Sequence, residues 1–581
     1  MDKIPRPEYP RPQFERAEWV SLNGVWQFEM DPGRSGMQRG LPEAEKLSGE
    51  ILVPFPPESE LSGVGYKDFI PAVWYRRTFQ IPEDWKDKRI LLHFEAVDYK
   101  THVWVNGREV GFHRGGYTPF TFEITDLVRK DGNTLVVYVE DDTRSPLQPT
   151  GKQSAAYHSH GCVYTRTTGI WQTVWLEAVP QTYIARVRMI PNLEGGSLFV
   201  TAELDGPETD TAIVAKTRID GDEVLETRVD CPGNKVFFMI VPPEVRAWSP
   251  EDPFLYEVIF ELEKDGETLD RVKSYFGLRS IAVKGPAVLL NGKPLFQRLI
   301  LDQGFYPDGI YTAPSDEALR RDIELAKAMG FNGARLHQKV FERRFLYWAD
   351  KLGYLLWGEF PNWGLDHAHP EALERFLTEW LTVLERDMNH PSIVGWCPFN
   401  ETPANQNPEF IRTVYRVTKQ IDPTRPVIDT SGYTHVETDL YDVHCYDQNP
   451  ESFAARFKPL AEGGEAWRNR PDRDAPYRGQ PYWVSEYGGT WWNPDQKDDK
   501  AWGYGDRPKS EEEFLERYRR LTETLLNHPR MCGFCYTQLY DIEQEVNGLY
   551  TYDRRPKFDP ERIRAINSQR AAIERDYGPG G

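Results

Sequence analysis

Near residue 283 the sequence changes its periodicity, and that change limits the fold more than any other feature. Before it, short runs of alternating or wholly apolar residues recur without helical runs between them: "GVWQFEM", "VWYRRTFQI", "RILLHFEAV", "HVWVNG", "FTFEIT", "TLVVYVE" and "WQTVWLEAV". Turn residues such as Asn106-Gly107 punctuate them. Strands spaced this way pack as two stacked sheets, so residues 1–180 read as a jelly-roll β-sandwich. The pattern continues over 181–282 with "YIARVRMI", "SLFVTAEL", "AIVAKTRI", "KVFFMIV" and "LYEVIFELEKDGETLDRVKSYFG". Asp265-Gly266 marks a hairpin turn. About seven short strands in some hundred residues suit an immunoglobulin-like β-sandwich.

From 283 to 581 helical and strand segments alternate. "SDEALRRDIELAKAMG" is one helix: Ser315 is its N-cap, Leu319, Ile323 and Ala326 form its apolar face, and Gly330 stops it. Between such helices lie eight candidate strands: 295–301, 331–336, 354–357, 393–399, 427–430, 440–444, 482–485 and 531–537. This alternation predicts a parallel sheet, and eight strands in about 300 residues predict a TIM (β/α)8 barrel. An open doubly wound sheet is the alternative, but the sequence has no Gly-rich phosphate fingerprint. The chain is thus expected to be multidomain, β followed by α/β.

Bulk properties remove several functions. The 581 residues exceed one core. A net charge of −20 argues against nucleic acid or an anionic membrane as partner. No apolar run reaches about 18 residues, so no membrane span is expected. The start, "MDKIPRPEYPRPQFERAEW", lacks the apolar core of a secretory signal, and a cytoplasmic location is expected. Six scattered cysteines form no disulfide framework. Cys532 and Cys535 make a C-x-x-C without a second ligand pair, and read as two residues of a buried strand.

Two carboxylates stand out. "PSIVGWCPFNET" is a buried run that turns polar at Asn400-Glu401, and "PYWVSEYGG" places Glu486 at the end of a similar run. Ionised carboxylates are rarely buried without a partner. In a TIM barrel the C-terminal ends of the strands face one shared mouth. By count, Glu401 ends the fourth strand and Glu486 the seventh, so they can face one another across it. Glycoside hydrolysis uses such a pair, one acid for the leaving oxygen and one carboxylate for the anomeric carbon or for water.

The sequence resembles glycoside hydrolase family 2, the family of β-galactosidases, β-glucuronidases and β-mannosidases. The resemblance runs through "YRRTFQIP", "VDYKTHVWVNGREVGFHRGGYTPFTFEIT", "GIWQTVWLE", "WSPEDPFLYEV", "FGLRSI", "LLNGKPLFQR", "YWADKLGYLLWGEFP", "HPSIVGWCPFNE" and "VSEYGG", in that order. It implies that Glu401 is the acid/base and Glu486 the nucleophile of a retaining mechanism. It implies that Asn400 bonds the sugar 2-hydroxyl and that Tyr446 positions the nucleophile. Arg335 and His337 in "GARLHQK" match positions that often hold these residues, although the usual His-Tyr-Pro is replaced by His337-Gln338-Lys339. Asp302, after the first strand, falls where substrate-binding residues lie. Asp141 or Asp142 resembles an acidic loop that the first domain lends to the sugar site, with Asp142 preferred.

Further candidates come from position alone. Glu359 ends a strand and can line the site or serve an ion pair. Trp492, with Trp491, can form an aromatic platform. Gln538, Glu543 and Asn547 follow the eighth strand and can reach the mouth. No cofactor or metal is expected; His367 and His369 are spare ligand candidates only.

The glycone is open. An N-x-K triad after the nucleophile marks β-glucuronidases, but here Asn493 and Lys497 are four apart. A β-galactoside is the default from family frequency, with β-glucuronide, β-mannoside, β-galactofuranoside and α-L-arabinoside as alternatives. The expected partner is an oligosaccharide or glycoside, and a homo-oligomer is compatible with the sandwiches. A non-catalytic carbohydrate-binding protein and an assembly scaffold are readings from other classes.

Overall fold

The structure is a computed structural model and describes residues 4–403, 405–495 and 500–576. The first sandwich has a four-stranded and a six-stranded sheet. Their inward faces meet in a core that includes Trp26, Phe28, Tyr75, Phe94, Val137 and Leu176. Alternation explains this: the strand 24–30 buries Trp26 and Phe28 and leaves Val25 exposed.

The second sandwich pairs a three-stranded with a four-stranded sheet, seven strands in all. Its hairpin turns at Asp265-Gly266 with φ of 52° and 83°, the twist that a two-residue turn between strands requires. The strand Asp222–Cys231 escaped the sequence reading. It pairs on one side only, is charge-rich and mostly exposed, as an edge strand is.

The third domain places seven strands where the alternation put them; the fifth, expected at 427–430, is the short Thr430–Ser431. Barrel strands 1 to 8 are Gln297–Asp302, Gly333–Leu336, Leu355–Glu359, Ile393–Cys397, Thr430–Ser431, Tyr441–Cys445, Tyr482–Gly488 and Met531–Thr537. Seven of them form one parallel sheet in the order 4-3-2-1-8-7-6. Strand 4 continues as Phe399–Asn400, which pairs in parallel with strand 5. Between strands 5 and 6 side chains bridge the seam: Ser431 Oγ and the Gly432 N–H donate to Asp442 at 2.9 and 3.1 Å. Ser315 caps the first barrel helix, Asp316–Ala328, by accepting from the Ala318 N–H. Cys532 and Cys535 lie on buried strand 8 as free thiols.

Candidate active site

Glu401 and Glu486 meet. One carboxylate oxygen of each, with a ring nitrogen of His444, lie within 4.8 Å of one another. Strand 7 carries Glu486, and Glu401 follows Asn400 at the end of strand 4.

Glu486 is gripped from two sides. The Arg335 Nη1 donates to its Oε1 at 3.1 Å, and the Tyr446 hydroxyl donates to its Oε2. Arg335 is fully buried and uses every arm: Nε on Glu359 Oε1 at 2.5 Å, Nη1 also on the Ser485 carbonyl at 2.8 Å, Nη2 on Asn400 Oδ1 at 3.1 Å. A planar guanidinium suits this fixed fork. Tyr446 stacks on Tyr504 with ring centres 3.6 Å apart.

Glu401 is held differently. Its backbone has φ of 46°, a left-handed conformation that costs a non-glycine residue and collects at functional sites. Its Oε1 lies 2.7 Å from His444 Nδ1. The other His444 nitrogen is 2.9 Å from Ser431 Oγ, which donates to Asp442. Burial pushes the Glu401 carboxyl up, but the bond and charge of His444, with Lys152 and Arg335, hold it below its ordinary value. Burial pushes His444 down, yet Glu486 and Glu401 outweigh it and raise the imidazole. Both shifts favour a proton on His444, between the two carboxylates, over one on Glu401.

Asn400 has a buried Nδ2 with no partner among the described residues. Its carbonyl accepts from the Trp363 indole at 3.1 Å, and its Oδ1 faces Arg335, so the free amide hydrogens are what it can offer a ligand. His337 Nδ1 is 3.0 Å from Glu359 Oε2. Burial and the charge of Lys152 push His337 well down, so the ring is neutral. Burial outweighs Arg335 at Glu359 and raises its carboxyl.

Several expected residues lie elsewhere. Asp302 is buried and accepts from the Tyr540 hydroxyl at 2.6 Å and the Gly304 N–H at 3.0 Å; it ties the loop after strand 1 to the segment after strand 8. Burial and then Asp322 push its carboxyl up to about 6. Asp142 is exposed on the sandwich, where it accepts from the Arg144 N–H, while Asp141 accepts from Gln148 and Thr168 inside the same domain. Trp492 packs its ring near Phe514, and its carbonyl accepts from Lys557. Gln538 bonds Gln303 and Asn547, and Glu543 accepts from the Thr165 N–H. His367 is a core histidine beside Phe399 and Phe410, and His369 accepts from the Glu371 N–H. Asn493 Nδ2 donates to Asp541 at 3.4 Å; Lys497 lies outside the described residues.

Two site residues escaped the sequence reading. His444 stands two positions before Tyr446 at a strand end, and residues two apart share a face. Lys152 comes from the first sandwich, on a loop with no period to read. Among the described residues one group has metal-ligand spacing, Glu401, His444 and Glu486, and hydrogen bonds already link its atoms.

Fold and site together define a class: two β-sandwiches joined to a parallel barrel whose mouth holds two close carboxylates. Three sequence profiles match in register with these domains. They are described as "Glycosyl hydrolases family 2, sugar binding domain" over residues 19–180, "Glycosyl hydrolases family 2" over 182–279, and "Glycosyl hydrolases family 2, TIM barrel domain" over 281–564. The chain belongs to glycosyl hydrolases family 2. A β-galactosidase of Thermoanaerobacter pseudethanolicus is 28% identical over 396 residues, 66% of this chain and 51% of that protein. The match thus spans about half that relative's length. A β-glucuronidase of Paenibacillus borealis is 25% identical over 72% of this chain and 74% of its own. The solved β-glucuronidase of Ruminococcus gnavus superposes with a TM-score of 0.78 at 20% identity, covering 97% of this chain and 99% of that one, a likeness of fold.

Proposed function

We propose that this chain is a retaining, exo-acting glycoside hydrolase that removes a terminal sugar by double displacement. The observation that carries this reading is the approach of the two carboxylates, oxygen to oxygen within 4.8 Å. Retaining enzymes set their carboxyl groups about 5–5.5 Å apart, whereas inverting ones need about 6.5–9.5 Å to admit a water.

In the first step Glu486 attacks the anomeric carbon while Glu401 protonates the departing oxygen. The glycosidic C–O bond breaks and an ester to Glu486 forms. Arg335 and Tyr446 hold the nucleophile and aim it. The proton reaches Glu401 across its contact with His444 Nδ1. Once Glu486 is esterified its charge is gone, and a water can give its proton to Glu401 as it attacks the same carbon. The ester breaks, and two inversions restore the starting configuration. Asn400 Nδ2, unpartnered among the described residues, would serve the sugar 2-hydroxyl, whose hydrogen bonds strengthen in the transition state.

Exo action follows from how the sandwich closes one side of the mouth. The Thr150 and Gly151 N–H groups donate to the Trp363 carbonyl at 2.8 and 3.2 Å, which fixes a sandwich loop against the loop after strand 3 and supports a mouth walled on that side. For the glycone, curated relatives carry both the β-galactosidase and the β-glucuronidase name. The deciding experiment is proton NMR of the first product formed from an aryl β-glycoside. The β-anomer is expected before mutarotation. An α-anomer at early times would sink the retaining mechanism.

A further inference from the structure

Lys152 is a charged group of the barrel mouth to which the reaction above gives no task. Its loop is bolted to the barrel. Gly151 has φ of 57°, and a Cβ there would stand 2.3 Å from the Gln338 carbonyl oxygen, so the close approach requires glycine. The Lys152 carbonyl accepts from the Tyr164 N–H at 2.7 Å. Only 5% of the residue is exposed. The ammonium sits 3.8 Å from the centre of the Trp363 ring, whose indole N–H bonds the Asn400 carbonyl. It therefore stands beside the residue that precedes Glu401. Its charge acts first on the Cys162 thiol, then on Glu545, Glu486 and Glu401, and on His337.

Among the described residues this ammonium donates no hydrogen bond and has no carboxylate within 4.0 Å. Glu545 does not fill the gap: its oxygens accept from Tyr164 and Asn547, and neither lies within 4.0 Å of the ammonium. An aromatic face supplies part of what a buried cation needs, but not an acceptor. A neutral sugar hydroxyl would satisfy one N–H but give the ammonium no anion in direct contact. An anion would satisfy both. Moreover, an anionic sugar brought between Glu401 and Glu486 would be repelled unless a cation stood near. Arg335 cannot serve, since its arms are all engaged.

We propose that Lys152, contributed by the first sandwich, is the binding site for an anionic substituent of the terminal sugar, the carboxylate of a uronic acid or a sulfate ester. This rests on the hydrolase reading for turnover but not for binding. It would make the sandwich, and not the barrel alone, a determinant of glycone choice.

The test uses the full chain and Lys152→Met, which keeps the stem on Trp363 and removes the charge. Lys152→Arg keeps the charge and controls for misfolding. Substrates are the 4-nitrophenyl β-glucuronide, β-galacturonide and β-galactoside 6-sulfate, against the neutral β-glucoside and β-galactoside. The parent should favour an anionic glycoside over its neutral counterpart. Lys152→Met should lower kcat/KM for that substrate about 100-fold or more, mainly through KM, with a far smaller change on neutral ones. Lys152→Arg should retain part of the preference. The uronide and sulfate arms separate the two anions. Calorimetry of D-glucuronate against D-glucose, on Glu486→Ala with and without Lys152→Met, reads binding without turnover. A neutral preference in the parent, or equal losses on both charge classes, overturns the proposal. Selective D-glucuronate binding that Lys152→Met abolishes, with no turnover of any glycoside, would keep it and sink the hydrolase reading instead.

Discussion

The two sides of the barrel mouth solve opposite problems. On the strand 7 side Glu486 is fixed: its carboxylate is held by Arg335 and Tyr446, and its side chain is 6% exposed. On the strand 4–6 side Glu401 is 17% exposed, sits on a strained backbone, and touches a histidine that holds a proton. A nucleophile must stay ionised and aligned within a fraction of an ångström. An acid/base must gain and lose a proton in each cycle. Rigidity serves the first and a short proton path the second. The seam between strands 5 and 6 fits this division, because side chains there replace a backbone ladder and bring Ser431 and Asp442 to His444.

The largest expected effect breaks the comparison outright. Glu486→Ala should lower kcat by a factor on the order of 10⁵ on every substrate, as loss of a nucleophile does. Glu401→Ala should instead discriminate. Substrates with poor leaving groups should lose about 10²–10⁴-fold, and activated aryl glycosides far less, since they need little protonation. Equal losses for both variants across a leaving-group series would refute the division of roles.

A smaller effect sharpens the comparison. If His444 stores the proton, the alkaline limb of the kcat/KM profile reports that raised imidazole. A raised group keeps its proton at low pH and loses it as pH climbs through its folded value. In His444→Gln the remaining proton belongs to the Glu401–Glu486 pair. A carboxylic acid ordinarily gives up its proton at lower pH than an imidazole does. The alkaline limb should therefore move to lower pH. A profile that falls in height without moving would leave His444 a packing residue.

What the sequence made legible follows from where period and position carry information. Glu401, Glu486, Asn400, Arg335 and Glu359 all lie at or close to the C-terminal ends of barrel strands, and such ends can be counted from hydrophobic runs. Their hydrogen bonds follow from sharing one mouth. His444 was legible in principle, since it alternates with Tyr446, but a run of Asp-Val-His-Cys reads as core. Asp302 and Trp492 stand at comparable positions and turn away, to Tyr540 and toward Phe514, because the loops after strands 1, 7 and 8 pack on one another. No local pattern announces that. Lys152 shows the limit most clearly. Its place depends on a sandwich loop docking on Gln338 and Trp363, contacts about 200 residues away in sequence, with only Gly151 as a local sign. Asp142, ten residues earlier, carries the charge that loop was expected to lend, and it faces outward.

His367 gives the smallest effect and a control on the cluster. Both its ring nitrogens are buried without partners among the described residues, and burial pushes it down to about 4. The folded state therefore refuses a proton that the unfolded chain accepts at about 6.5. Stability from this group is complete above that value and falls as pH drops toward 4, by about 3 kcal/mol at most. Replacing it with leucine removes two unsatisfied polar atoms and the titration together. His367→Leu should hold or slightly raise the melting temperature at pH 7.5, raise it clearly at pH 4.5, and leave the pH profile of kcat/KM in place. That last point is the contrast with His444: both are buried imidazoles near strand ends, yet one is neutral among Phe399 and Phe410 and the other charged between carboxylates. If His367→Leu moved the alkaline limb as His444→Gln does, the proton of the cluster would not be local to Glu401, His444 and Glu486, and the assignment of that limb to His444 would fall with it.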